Sequence, residues 1–69
     1  MTFEVYSYLI QIEIENYNGS IQVELYDFTG KLLETTNNTN LSLADYPTGI
    51  YLLKVAYGDR VEQLEVVKE

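Results

Sequence analysis

Residues 9–15 set Ile10, Ile12 and Ile14 on one side of an extended chain and Gln11, Glu13 and Glu15 on the other. That is the period of two expected of a half-buried strand. Asn16-Tyr17-Asn18-Gly19 breaks the alternation, and a second run follows with Ile21, Val23 and Leu25 inward and Gln22 and Glu24 outward. The two runs read as a hairpin in which Ile14 faces Ile21, Ile12 faces Val23 and Ile10 faces Leu25. Both apolar rows then lie on the same face.

Asp27-Phe28-Thr29-Gly30 has Asp first and Gly fourth, the preference of a type I turn, and leads into residues 31–36 as a further strand. After the polar tip Asn37-Asn38-Thr39-Asn40, Leu41-Ser42-Leu43 alternates briefly. In the turn Asp45-Tyr46-Pro47-Thr48-Gly49, Pro47 cannot continue a central ladder. Residues 50–57 are apolar except for Lys54, which predicts a central strand covered on both faces in the middle of the core. Tyr57-Gly58-Asp59-Arg60 carries Gly at the first central position, a type II′ signature, and joins a last strand over residues 60–67.

No window has the i, i+3, i+4, i+7 spacing of a helix, and β-branched and aromatic residues dominate. The predicted fold is all-β: one domain over residues 1–69, an immunoglobulin-like antiparallel β-sandwich of about seven short strands. The core cystine and tryptophan common in such modules are absent. A chain of 69 residues buries only about 60% of the surface it exposes when unfolded, so its core is thin. With no Cys and no His, no disulfide and no thiolate or imidazole metal site can reinforce it. Packing on a partner or a second copy is the remaining device, and open edge strands allow a homodimer.

Four basic residues stand against eleven acidic ones, a net charge of −7. Phosphate backbones and anionic lipid surfaces are repelled by that balance, so nucleic acid is not an expected partner. The first sixteen residues have no basic region and alternate apolar with polar, so they read as neither a signal peptide nor a membrane span. No direct membrane insertion is expected. If the domain is exported, a segment upstream of it directs the export.

Candidate chemistry is sparse. Without His or Cys, only serine-lysine or paired-carboxylate schemes are open to catalysis. Glu13, Glu15 and Glu24 are the carboxylates to weigh, and they fall on a predicted solvent face with no loops around them long enough to build a cleft. Asp27, Asp45 and Asp59 each occupy a turn, where a short carboxylate caps backbone N–H groups, and their spacing matches no cation loop. No catalytic residue, cofactor or metal is expected. Of the seven tyrosines, Tyr26, Tyr51 and Tyr57 fall in predicted strands, whereas Tyr6, Tyr8, Tyr17 and Tyr46 are free for a protein- or sugar-binding surface.

Three blocks in this order resemble a known family. They are Val23-Glu24-Leu25-Tyr26-Asp27-Phe28-Thr29-Gly30-Lys31, then Leu43-Ala44-Asp45-Tyr46-Pro47-Thr48-Gly49-Ile50-Tyr51-Leu52-Leu53-Lys54-Val55, then residues 60–68. Over roughly the last 49 residues the chain is similar to the C-terminal sorting domains, type A, of proteins exported by the type IX secretion system of Bacteroidetes. The resemblance implies a folded export signal in the C-terminal part of a larger cargo protein. Such a signal passes through the periplasm, is read by the outer-membrane secretion machinery and is removed by a sortase-like processing protein. Its cargo ends at the cell surface or in the medium. Gly30 lies in the first block, Gly49, Tyr51 and Val55 match the central motif, and Val66, Val67 and Lys68 match the terminal strand. The departure is N-terminal: Val5-Tyr6-Ser7-Tyr8 runs directly into Leu9 where the family places a Tyr-Pro-Asn-Pro turn, so a first strand would pair without its usual turn. The alternative function, from fold class and spare tyrosines, is an immunoglobulin-like adhesion or carbohydrate-binding module.

Overall fold

A computed structural model describes all residues, Met1–Glu69. There are seven strands and no helix: β1 (Thr2–Tyr6), β2 (Leu9–Glu13), β3 (Ile21–Asp27), β4 (Leu32–Thr36), β5 (Asn40–Ser42), β6 (Gly49–Tyr57) and β7 (Arg60–Lys68). They form two antiparallel sheets, one ordered β1-β2-β5 and the other β4-β3-β6-β7. Lettered in chain order as A, B, C, C′, E, F, G, the sheets read A-B-E and C′-C-F-G. This is an immunoglobulin-like sandwich with its fourth strand placed beside C.

The interior is wholly apolar. Ile10 and Ile12 from β2, Ile21, Val23 and Leu25 from β3, Leu41 and Leu43 at β5, Tyr51, Leu53 and Val55 from β6 and Val66 from β7 form one buried cluster, with no polar side chain buried among them. Contributors alternate along β2, β3 and β6, so each sheet turns one face inward, as the period-two pattern requires.

Two expectations need correction. The rows Ile10-Ile12-Ile14 and Ile21-Val23-Leu25 do not form a hairpin. β2 is flanked by β1 and β5, while β3 is flanked by β4 and β6. The rows meet across the sandwich interior, which satisfies their apolar faces as fully as lateral pairing would. Residues 14–20 carry the chain from one sheet to the other, through Asn16 at φ 58. Similarly, β6 is central but is covered on one face only. Tyr51, Leu53 and Val55 are buried, whereas Ile50 and Leu52 are 45% and 39% exposed, because nothing stacks on the outer face of the four-stranded sheet.

The N-terminal hairpin is intact without the Tyr-Pro-Asn-Pro turn. β1 and β2 pair from Thr2↔Glu13 to Tyr6↔Leu9, and a two-residue turn closes them with Ser7 at φ 55. β1 is the element the pattern did not reveal, since of its five side chains only Phe3 is even half-buried. The Asp27 turn is as expected: Gly30 N–H donates to the Asp27 carbonyl at 3.0 Å, and Asp27 Oδ1 accepts from the N–H groups of Thr29 and Lys31 at 2.9 and 3.0 Å. Gly30 closes that turn at φ 91, a conformation costly for any side chain with a Cβ.

Candidate functional site

The β6–β7 ladder runs unbroken from Tyr57↔Arg60 to Gly49↔Lys68. Its far end places Gly49 opposite Lys68, Ile50 opposite Val67 and Tyr51 opposite Val66. Five of the seven residues that carry the resemblance therefore share one end of one strand pair. Gly30 belongs to the same end of the sheet, because the last β3–β6 pair is Asp27↔Tyr51 and the β3–β4 turn follows it. Val55 lies apart, fully buried toward the β6–β7 turn and opposite Glu62.

Each of these residues has a local reason. Gly49 enters β6 at φ 155 with open space where a Cβ would stand, so backbone conformation and not crowding calls for glycine there. Tyr51 is buried, and its hydroxyl donates to the Pro47 carbonyl four residues upstream. A tyrosine near the start of strand F bonded back to the preceding corner is the tyrosine corner of immunoglobulin-like folds. It ties the chain crossing from the three-stranded sheet to the strand it becomes. Replacing Tyr51 by Phe keeps the ring and removes this bond, and a loss of about 1 kcal/mol in urea unfolding is the expected result.

Lys68 is the most connected of the set. Its ammonium donates to the carbonyls of Leu43 at 2.9 Å, Ala44 at 3.3 Å and Tyr46 at 2.5 Å. It also stands 4.3 Å from the centre of the Tyr8 ring, within cation–π range. These carbonyls belong to a loop that leaves the three-stranded sheet, and of the three only that of Leu43 also accepts a backbone N–H, from Tyr46 at 3.0 Å. One side chain at the end of β7 thus ties together the last strand, the β5–β6 loop and the β1–β2 turn. The resemblance marked Lys68, but nothing in the alternation marked its partners, because carbonyl direction in a loop leaves no trace in side-chain pattern.

Val66 and Val67 divide their duties by the pleat. Val66 is buried against Tyr51, and Val67 is 52% exposed beside Ile50. Leu52 continues the exposed apolar row on the same face and faces Tyr26, which in turn faces Leu32. The outer face of the four-stranded sheet is therefore apolar at the end where the C-terminal strand finishes.

The carboxylates and tyrosines prove structural or solvated. Glu13 and Glu15 are exposed, and Glu24 lies in the other sheet, 3.9 Å from Lys54. The Tyr17 hydroxyl donates to the Ser20 carbonyl at 2.6 Å and accepts from Gly58 N–H at 3.0 Å, with its ring packed edge-on against Tyr57. Tyr46 donates to Glu34 at 2.6 Å and Tyr57 to Glu62 at 2.5 Å. Of the four tyrosines left free by the sequence, only Tyr6 and Tyr8 are exposed, while Tyr17 packs on Tyr57 and Tyr46 on Tyr51.

The Glu34 carboxylate holds the Tyr46 hydroxyl protonated, raising its pKa from 10.0 to about 12, and Glu62 raises that of Tyr57 in the same way. A folded-state pKa above the unfolded value contributes stability that is complete below pH 10 and lost as pH rises through the folded value. Denaturation midpoints are therefore expected to fall between pH 10 and about 12, and Tyr46→Phe to flatten that limb. Asp27 is shifted the other way. The Thr29 hydroxyl, then the Lys31 N–H, favour its carboxylate and lower its pKa, so its contribution is present above pH 3.8 and fades as pH falls below.

The family model for the secretion system C-terminal sorting domain matches residues 7–69, reaching back through β2 to the β1–β2 turn, well beyond the three blocks. No curated protein and no solved structure matches. The chain belongs to the family of secretion system C-terminal sorting domains, the signals that mark type IX cargo for export to the cell surface or extracellular space.

Proposed function

We propose that the type IX machinery reads this domain as a folded object, through the end of the β6–β7 ladder, and that a sortase-like processing protein then removes it. The carrying observation is Lys68. Lys68, which the resemblance marks in the last strand, is also the residue that locks that strand onto two loops from the rest of the fold. A signal built this way exists only when residues from β1 to β7 are assembled as one folding unit.

On this reading Gly30, Gly49, Tyr51, Val55 and Val66 shape the epitope and Val67 lies on its surface. The family is one of sorting signals, and in keeping with that role Asp27 caps a turn and the Tyr46 and Tyr57 hydroxyls donate to Glu34 and Glu62.

The test is a passenger protein carrying a periplasmic signal peptide, followed by residues 1–69, expressed in a Bacteroidetes host. The expected result is passenger in the medium or on the surface, shorter by the 8.0 kDa of the domain. Passenger held in the periplasm would refute the sorting role, and exported passenger that keeps the domain would refute removal.

A further inference from the structure

The four edges of the two sheets are not alike. β5 is three residues long, β1 is five, and β4 is paired to β3 through a register shift at Leu25/Tyr26. Short or bulged edges are poor templates for a further strand. β7 is nine residues long, has no register shift and no proline, and its only neighbour is β6.

The hydrogen-bond parity of this edge follows from its turn. Tyr57 and Arg60 close a two-residue hairpin and so form a hydrogen-bonded pair, and bonded pairs alternate from there. Val55–Glu62, Leu53–Leu64 and Tyr51–Val66 bond, while Val61, Gln63, Glu65 and Val67 aim their N–H and C=O groups away from β6, at the open edge. The same parity carried across β6 and β3 directs Asp27 N–H toward the β4 side, where it bonds the Lys31 carbonyl at 3.0 Å.

We propose that β7 is a strand-addition site, taking an extended segment of a partner protein in which apolar residues alternate with Lys or Arg. The proposal rests on the sorting role above and names the mode by which the signal is held. Strand addition draws affinity from main-chain bonds and selectivity from alternate side chains. The side chains that a new strand would meet on the outer face are Val61 and Val67, 58% and 52% exposed, with Gln63 and Glu65 between them. Glu62 on the inner side and Glu69 at the end add negative charge. A shallow groove lined by Val5, Ser7, Tyr8, Val67 and Glu69 lies at the end of the ladder, where the added strand would finish. A chain of net charge −7 favours a basic strand over a second copy of itself.

The passenger fusion provides the test, with Gln63→Pro and Glu65→Pro made separately. Proline at these positions removes an N–H that faces the open edge and none that bonds β6. Each isolated variant domain is expected to melt within about 5 °C of the parent. Export is expected to fall about ten-fold, the scale of losing one or two recognised main-chain bonds. Glu65→Lys covers the case in which proline unfolds the strand. It should reduce export several-fold, while Glu13→Lys, the same charge change on the other sheet, should not.

If the unmodified fusion is exported and folded proline variants export equally well, the strand-addition site is refuted and the sorting role stands. If the unmodified fusion is not exported, the sorting role itself fails. A concentration-dependent dimer of the parent domain that Glu65→Pro converts to monomer would reassign the edge to self-pairing and overturn the basic partner.

Discussion

Leu53→Ala is expected to bring the domain to the edge of unfolding at room temperature and to cut export of a fused passenger sharply. Leu53 is fully buried at the centre of β6, with Leu25 opposite on one side and Leu64 on the other. Truncating a buried leucine costs about 3 kcal/mol in lost transfer and residual cavity. A core in a chain this short rarely supplies more than about 3–5 kcal/mol in total. One substitution therefore removes nearly all of the margin. Urea unfolding followed by far-ultraviolet circular dichroism checks the first part, and Leu53→Ile, which keeps the volume, should stay folded. The export result separates two kinds of signal. A linear signal in the last residues would survive Leu53→Ala, since Leu53 lies outside them. A signal that is a folded surface would not. Export by an unfolded Leu53→Ala fusion would defeat the reading proposed above.

Lys68→Met is expected to lower the melting temperature by about 10 °C. The substitution keeps an apolar stem of similar length but removes a charged donor from three carbonyls and from the Tyr8 ring. Bonds to a charged group are worth about 1.5–3 kcal/mol when buried, and this cluster is partly solvated, so about 2 kcal/mol is the expected loss. In a domain of this size each kcal/mol moves the melting temperature by about 4–8 °C. Lys68→Arg keeps the charge but presents a planar fork where three carbonyls converge on a point, so it should recover only part of the loss. Faster amide exchange in residues 43–46 and around Tyr8 should accompany Lys68→Met. A melt within about 2 °C of the parent would show that the ammonium holds nothing together.

The two substitutions act on different levels of the same fold. Leu53 lies in a near-continuous apolar run that marks a core strand but not which face it buries, so the sequence places it in the core without distinguishing it from Leu52. The Asp27 turn was legible, because its side-chain and glycine preferences are local. Five of the eleven core residues belong to the two runs first seen in the chain, Ile10 and Ile12 and then Ile21, Val23 and Leu25. β1 was hidden, since an edge strand exposed on nearly all its side chains has no apolar row to betray it.

What the sequence by itself determined is the buried face of β2 and β3, the Asp27 turn, and, through three ordered blocks, which family the chain belongs to. What only the tertiary structure decided is who lies beside whom. Period two specifies a direction for each side chain and says nothing about the neighbour that meets it, so Ile12 and Val23 could serve as a lateral pair or as opposite walls of a sandwich. The same limit explains Lys68 and the β7 edge. A lysine reaching three loop carbonyls, and a strand whose outward N–H and C=O groups have no partner, are facts about backbone placed by distant parts of the chain. Main-chain groups are identical at every residue, and only assembly determines which of them remain unpaired.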